Sequence, residues 1–468
     1  MNIKSLVRST GIYFIGNVLS KIVVFLLLPI YTSYISPEAM GMYDTGVTII
    51  TLFSSMLFLD IGSVILKFTL EKDGDNADYP ITNGSIIFLF SCLIYLVMLS
   101  VAGIFIQYEY YHWVVLYGLS YALNTAVGYV ARALRYNTDY AIAGVLQTIL
   151  MVVLNIIMLI GLGMDYKTLY ISFSISSLVA TIYLLIRTSF FKYFEKKYFS
   201  KSRFAEMLKF ALPLCVNSLA FWLMSSSGRV IVTYVLGSEA TGYLSVANKF
   251  NQILYLVSTC VHLTWQEVAF SHDNKGENEK GFYSNVFLIY YKVVLFSVAL
   301  LMLIVRVGLY VFPSFIAQEY TPSINLVPTA LIGTGLAIVS QFLGTIFTSI
   351  KKTKIIFWST LMGAITTVVT TFLFIKIGCG PEAANFSFIW GYIAAIVMRI
   401  IFLKKYISFK CNAQNITWLL PVLLIATHVF TSGTIVSNII LLIILLGMIP
   451  LFFRKEFESI RSKINEHK

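Results

Sequence analysis

Residues 85–106 read SIIFLFSCLIYLVMLSVAGIFI, a run without a charge. At the rise of an α-helix, a run of this length crosses about 30 Å of hydrocarbon. The pattern recurs: fourteen long apolar segments are centred near residues 21, 54, 93, 125, 151, 179, 221, 254, 297, 337, 365, 393, 422 and 443. Lipid offers no partner to a bare peptide group, so a chain of such segments satisfies its backbone within helices. Composition agrees: 12% of residues are charged, against about 25% in soluble domains. The expected fold is an all-α polytopic membrane protein of about 14 transmembrane helices. The last two segments are the weakest, because residues 414–430 are short and hold Pro421 and His428. The first contains Asn17 and Lys21 and precedes further spans, so it reads as a span and not as a cleavable leader.

Basic residues orient the segments. With a cytoplasmic N-terminus, 27 of the 34 Lys and Arg fall in cytoplasmic loops and ends, and only Lys167 and Lys376 fall opposite. Both termini are therefore expected inside. The net charge of +12 then reflects topology and attraction to membrane lipids, and gives no reason to invoke nucleic acid. Five scattered Cys and five His show no disulfide or metal-ligand spacing, so no metal and no cofactor are expected.

One phrase is written twice. Residues 35–43 read ISPEAMGMY and residues 236–244 read LGSEATGYL. Glu38, Ala39 and Gly41 recur as Glu239, Ala240 and Gly242, and Thr32 recurs as Thr233 at the same offset. The first phrase follows span one and the second follows span seven, both on the outer side. Six intervening spans restore orientation, which predicts two parallel six-helix lobes related by an axis along the membrane normal. The expected divisions are an N-terminal lobe over 1–186, a basic amphipathic cytoplasmic linker over 187–209 suited to an interfacial helix, a C-terminal lobe over 210–410, and two additional helices with a tail over 411–468. Within the phrases, Pro or Ser before Glu suits a helix start. Gly41 and Gly242 suit close helix approach, at a gate or outer loop with Glu38 and Glu239.

Five cations remain inside predicted spans: Lys21, Arg229, Lys249, Lys292 and Arg306. Each costs about 2.5–3.5 kcal/mol at a helix centre and tends to face a cavity or partner. Only Asp60 is a clearly intramembrane acid, with Asp44 and Glu267 near span ends. The imbalance calls for an anion from elsewhere. Tyr13, Asn17 and Lys21 form one stripe, as do Ser218, Trp222, Ser225 and Arg229. Asn248, Lys249, Gln252 and Tyr255 adjoin, and Lys292 and Arg306 lie four turns apart. Asn17, Gln252 and the five cations are the expected substrate-binding residues, and Asp60 is a candidate coupling or salt-bridge residue. Tyr117, Tyr121, Asn124, Gln147 and Asn155 suit a hydrated path or interhelical hydrogen bonding. Pro29 and Pro213 are sites for bends.

The basic start, Gly16-Asn17, the loop ISPEAMGMY and the stretch FLDIGSVILKF, with Gly62 and Lys67 at its end, resemble polysaccharide exporters of the O-antigen and capsule flippase type. These belong to the multidrug/oligosaccharidyl-lipid/polysaccharide (MOP) superfamily. The resemblance implies a flippase of the bacterial cytoplasmic (inner) membrane, carrying an undecaprenyl-diphosphate-linked oligosaccharide outward by alternating access. It also implies polysaccharide polymerase and chain-length proteins as partners; coupling to protons or sodium has Asp60 as its candidate and no further support in the sequence. Fourteen spans leave the lipid II flippase branch open. A drug/cation antiporter of the multidrug branch would want carboxylates where this chain has cations. A glycosyltransferase or polymerase would need paired, tuned carboxylates, whereas the outer loops hold isolated Glu38, Glu109, Glu239, Glu319 and Glu382. No catalytic residue is therefore expected. A scaffold role would leave the buried charge without a purpose.

Overall fold

The computed structural model describes residues 22, 23, 25–70, 78–271, 282–407, 409 and 420–452. Asn17 and Lys21 lie outside the described residues. Among those described there is no strand. The first half runs through α1 (Leu28–Tyr34), α2 (Pro37–Leu57), α3 (Ile61–Leu70), α4 (Asp78–Phe105), α5 (Tyr111–Ala133), α6 (Asn137–Asn155, continued by a π-helical turn Ile156–Gly161) and α7 (Lys167–Arg187). The second runs through α8 (Lys201–Leu236), α9 (Ser238–Lys249), α10 (Asn251–Ser271), α11 (Phe282–Val311), α12 (Thr321–Ser349), α13 (Lys354–Ile377) and α14 (Glu382–Tyr406), with α15 (Leu420–Ser432) and α16 (Ile435–Phe452) following.

Among the described residues, nine helices are long and apolar enough to cross a membrane, and α2 with α3 makes a tenth span bent by 43°. The α15 and α16 helices are shorter and apolar. Thirteen of the fourteen expected centres fall within helices; the first, at residue 21, lies outside the described residues. The chain is a multi-pass, all-α membrane protein.

Local chemistry sets the breaks. Ser36 caps α2 by accepting the Ala39 N–H at 3.3 Å, with Pro37 and Glu38 in the first turn. Leu59 and Asp60 take φ of 57° and 45°, a left-handed pair that interrupts the helix and aims α3 away from α2. At the second phrase, Gly237 (φ 94°) stands at the cap position and Ser238 makes no side-chain cap. The capping expectation holds for the first phrase only. Pro29 sits in the first turn of α1, where a missing N–H costs nothing, and Pro213 lies inside the 36-residue α8.

The basic linker is no interfacial helix. Ser189, at φ 50°, stands past the end of α7, and two short 3₁₀ turns, Phe190–Lys192 and Lys196–Tyr198, follow. Residues 201–209 already belong to α8. Side chains on α4 hold the linker backbone: Thr82 Oγ1 donates to Tyr193 O at 2.6 Å, Asn83 Nδ2 donates to Tyr198 O at 3.2 Å, and Ser200 N–H donates to Asn83 Oδ1. Captured carbonyls cannot propagate an α-helix.

Buried apolar residues between Ile50 and Ala211 make one core, and a larger one draws mainly on residues between Ala240 and Leu445. Leu27, Leu28, Tyr31, Ile35 and Met40 join the larger core, tying the start of the chain to the second half. The α8 helix serves both halves: Met207 and Ala211 pack in the first core, Val232 in the larger one.

Candidate functional site

The twin phrases meet. A Cβ on Gly41 would lie 1.7 Å from Ser238 O, and one on Gly242 would lie 1.9 Å from Pro37 O. Each glycine therefore receives the opening backbone of the other phrase, a reciprocal contact that only two glycines permit. Thr233, the repeat of Thr32, joins hydroxyls with Thr45 at 2.8 Å and with Thr241 at 2.7 Å. Thr32 itself accepts the Ala317 N–H at 3.2 Å, and Tyr320 Oη donates to Ile35 O at 2.8 Å. Residues of the two halves are thus clamped together where both phrases lie. Glu38 is exposed in the first turn of α2, and Glu239 accepts from Tyr243 Oη at 2.5 Å.

Next to this clamp is an ion pair between the halves. Arg229 Nη1 on α8 lies 3.0 Å from Asp44 Oδ2 on α2, and both side chains keep partial exposure. Arg229, expected among the substrate-binding residues, has an internal partner in this structure, Asp44 in the second turn of α2. Lys249, half-buried at the end of α9, feels the charge of both Asp44 and Arg229. Gln252 is half-buried in the first turn of α10. Three members of the α8 stripe face the first half without sharing one cavity: Trp222 Nε1 donates to Thr48 O of α2 at 3.1 Å, Arg229 meets Asp44 four residues earlier on α2, and Ser218 reaches a cavity of the first half.

That cavity, of about 210 Å³, is lined by Ser54, Ser55, Asp60, Tyr121, Thr125 and Tyr129 among others. Asp60 accepts from Ser63 Oγ at 2.7 Å and has no cation within ion-pair distance among the described residues. On the other side of α8, Asn217 borders a cavity of about 650 Å³ in the second half, walled by α10, α12, α13 and α14. Its charged residue is Arg399, with 5% of its surface exposed.

Arg399 is the residue that sequence reasoning missed. Five residues before Lys404-Lys405, it reads from sequence alone as one of the cytoplasmic charges. It lies instead within α14, with Nε donating to Ser359 Oγ at 2.9 Å, Nη1 to Ser340 O and to Ser340 Oγ at 2.8 Å, and Nη2 to Thr360 Oγ1 at 3.2 Å. Its apolar flanks, IVMRIIF, were the available signal. All these partners are neutral, so no carboxylate among the described residues compensates the charge.

Other expectations separate. Arg306 rests 5.5 Å from the Phe430 ring of α15, away from the central ion pair. Lys292 is half-buried on α11, and neither it nor Arg306 lines the cavities described. Tyr117 stacks on Phe173 with centroids 4.1 Å apart, Tyr121 lines the Asp60 cavity, and Asn124 donates to Ser177 O at 3.1 Å. Asn155 bonds Tyr31 and Ser172, as interhelical hydrogen bonding requires.

The sequence over residues 6–264 matches a known family model, "Polysaccharide biosynthesis protein". The chain belongs to that family. A comparison with curated proteins finds no match. Solved structures of similar fold include transporters of the MOP superfamily and a lipid II flippase. An inward-facing multidrug resistance MATE family transporter is 17% identical, covering 82% of this chain and 96% of its own, with a TM-score of 0.66. The lipid II flippase MurJ in an inward closed conformation is 14% identical, covering 96% and 100%, with a TM-score of 0.67. A MOP transporter from Pyrococcus furiosus, whose binding pocket is described as of reverse polarity, is 16% identical, covering 86% and 95%, with a TM-score of 0.55.

Proposed function

We propose that this protein is a flippase that moves a diphosphate-linked oligosaccharide, carried on a polyprenyl lipid, from the cytoplasmic to the outer leaflet of the bacterial cytoplasmic membrane. The observation that carries this reading is the cluster of Arg229 and Lys249 against Asp44 where the two halves meet. Arg229 is ion-paired to that carboxylate, and a second cation, Lys249, lies within electrostatic reach of the pair. A diphosphate supplies oxygens for charge-assisted hydrogen bonds to both, which are stronger than neutral ones. When the clamped ends part, Arg229 loses Asp44, and a diphosphate takes the vacated place. Removing one partner of a buried pair costs about 3–5 kcal/mol; this pair is partly exposed, so the cost is smaller. Lys249 holds the headgroup while the halves rock. Membership of the polysaccharide biosynthesis family supports the substrate class.

The test is deletion of the gene and complementation with Lys249→Ala. Deletion is expected to accumulate lipid-linked oligosaccharide on the cytoplasmic face and to remove surface glycan, and Lys249→Ala to leave that state uncorrected although it inserts normally. A second reading, a multidrug/cation antiporter, draws on the Asp60 carboxylate in the first-half cavity. Normal surface glycan with raised retention of a cationic dye in the deletion strain would select it. Failure to mature peptidoglycan would select lipid II as the substrate.

A further inference from the structure

The cavity of the second half holds more than the ion-pair cluster explains. At about 650 Å³ it lies within the range of about 300–1,000 Å³ common to small-molecule sites. Its wall is rich in groups that bind sugars: Asn217, Tyr255, Gln341, Thr345, Thr348 and Tyr392. On α12, whose inner turns are almost wholly buried, Gln341 and Thr348 are the two exposed side chains between Val339 and Phe347 and one residue beyond, seven apart and thus on one face. The side chains that α12 leaves uncovered there are polar and point to this space.

Arg399 supplies the charge. Ser359 and Thr360 each donate their hydroxyl proton to Ile356 O and accept from the guanidinium. Their polarity is set by the backbone, and the plane of the guanidinium is fixed by them. Four bonds to neutral oxygens orient five N–H donors without cancelling the charge. The cavity also lies within electrostatic reach of the ion-pair cluster. Tyr255 lies within electrostatic reach of Arg229, and Tyr392 within reach of both Tyr255 and Arg399.

We infer that the second-half cavity is a subsite for a glycan bearing a negatively charged group, with its oxyanion at Arg399 and its hydroxyls on Gln341, Thr348 and Asn217. This rests on the flippase reading and extends it to an acidic sugar class. The shared chemistry is an oxyanion, which a sugar carboxylate or the carrier diphosphate could supply. The size of the cavity and its hydroxyl- and amide-rich wall favour the sugar, while the diphosphate stays at Arg229 and Lys249.

The experiment uses the full chain in nanodiscs. Binding is measured for trigalacturonate, for the neutral galactose trisaccharide and for inorganic pyrophosphate. The wild type is expected to bind trigalacturonate at least tenfold more tightly than the neutral trisaccharide. Arg399→Gln removes that preference and leaves pyrophosphate binding unchanged, whereas Arg399→Lys keeps most of it. Gln341→Leu, which alters an uncovered wall residue and keeps the charge, weakens both trisaccharides alike and serves if Arg399→Gln does not fold. Equal binding of the two trisaccharides by the wild type, or an intact preference in Arg399→Gln, overturns the subsite. Loss of pyrophosphate binding with the preference intact assigns Arg399 to the diphosphate and overturns it as well. Either result leaves the flippase reading standing if the deletion strain still accumulates lipid-linked oligosaccharide. Normal glycan export in that strain defeats the flippase reading alone, since the binding data do not depend on it.

Discussion

The first half encloses Asp60 in about 210 Å³ and the second encloses Arg399 in about 650 Å³, with α8 passing between them and presenting Ser218 to one and Asn217 to the other. At the repeated phrases the halves are close copies: Gly41 meets Ser238, and Gly242 meets Pro37. The two phrases share a contact surface, while the interiors of the halves differ in size and sign. The teaching is physical. A glycine facing a backbone carbonyl at these distances tolerates no side chain, whereas a polar cavity wall accepts many residues. The clamp is therefore where the repeat remains legible, and the cavities are where each half acquires its own chemistry.

The largest expected effect comes from breaking the symmetric part. In Gly41→Ala the new Cβ meets backbone, which cannot rotate away. Overpacking of this kind costs about 1–3 kcal/mol, which shifts the equilibrium away from the clamped state by about five- to 150-fold. Spin labels on the two phrases are expected to report a longer mean distance, and Gly242→Ala should match it. A large effect from one glycine only would show the contact to be unequal in energy.

Next is the ion pair that joins the halves. Asp44→Asn and Arg229→Gln each weaken the clamp, and the double variant is expected to cost less than their sum by about 1 kcal/mol, as coupled neighbours do. Thermal midpoints of the four proteins in detergent give the cycle. Strict additivity would mean that the pair contributes nothing to stability.

The contrast of cavities gives a smaller and more selective effect. Asp60→Asn is expected to reduce transport several-fold through loss of ion coupling, with glycan binding unchanged, because the carboxylate sits in the other half from Arg399. Transport assayed with and without proton and sodium gradients checks it: an unchanged gradient dependence removes Asp60 from coupling.

The smallest effect distinguishes the two phrases themselves. Ser36→Ala loses a cap and is expected to cost about 1 kcal/mol, whereas Ser238→Ala, with no cap to lose, should leave the thermal midpoint where it was. Equal shifts would mean that the Ser36 hydroxyl contributes no more than Ser238.

The all-α class and the span positions were legible because both rest on local rules. A long uncharged run admits one backbone solution in lipid, and thirteen expected centres fall in helices. The glycines of the clamp were legible as close-approach residues because they recur at one offset. Arg229 reads from the sequence as an intramembrane cation, and it is half-buried, but its partner is not legible there: Asp44 is 185 positions away, and no periodicity relates the two. Arg399 escaped for the opposite reason. Lys404 and Lys405 lie a turn and a half downstream, and in sequence alone it reads as a third member of a cytoplasmic cluster.

What the sequence determined by itself is the all-α membrane class and the places of the apolar helices among the described residues, while charge and repetition give an expected orientation and two expected halves. Each follows from hydropathy, charge or repetition, which are properties of neighbouring residues. Tertiary structure alone decided that the two phrases clasp one another, that Asp44 takes Arg229, and that Arg399 turns inward onto Ser340, Ser359 and Thr360. Such outcomes depend on which helices become neighbours, and a buried charge takes its meaning from whatever oxygen the packing brings within about 3 Å.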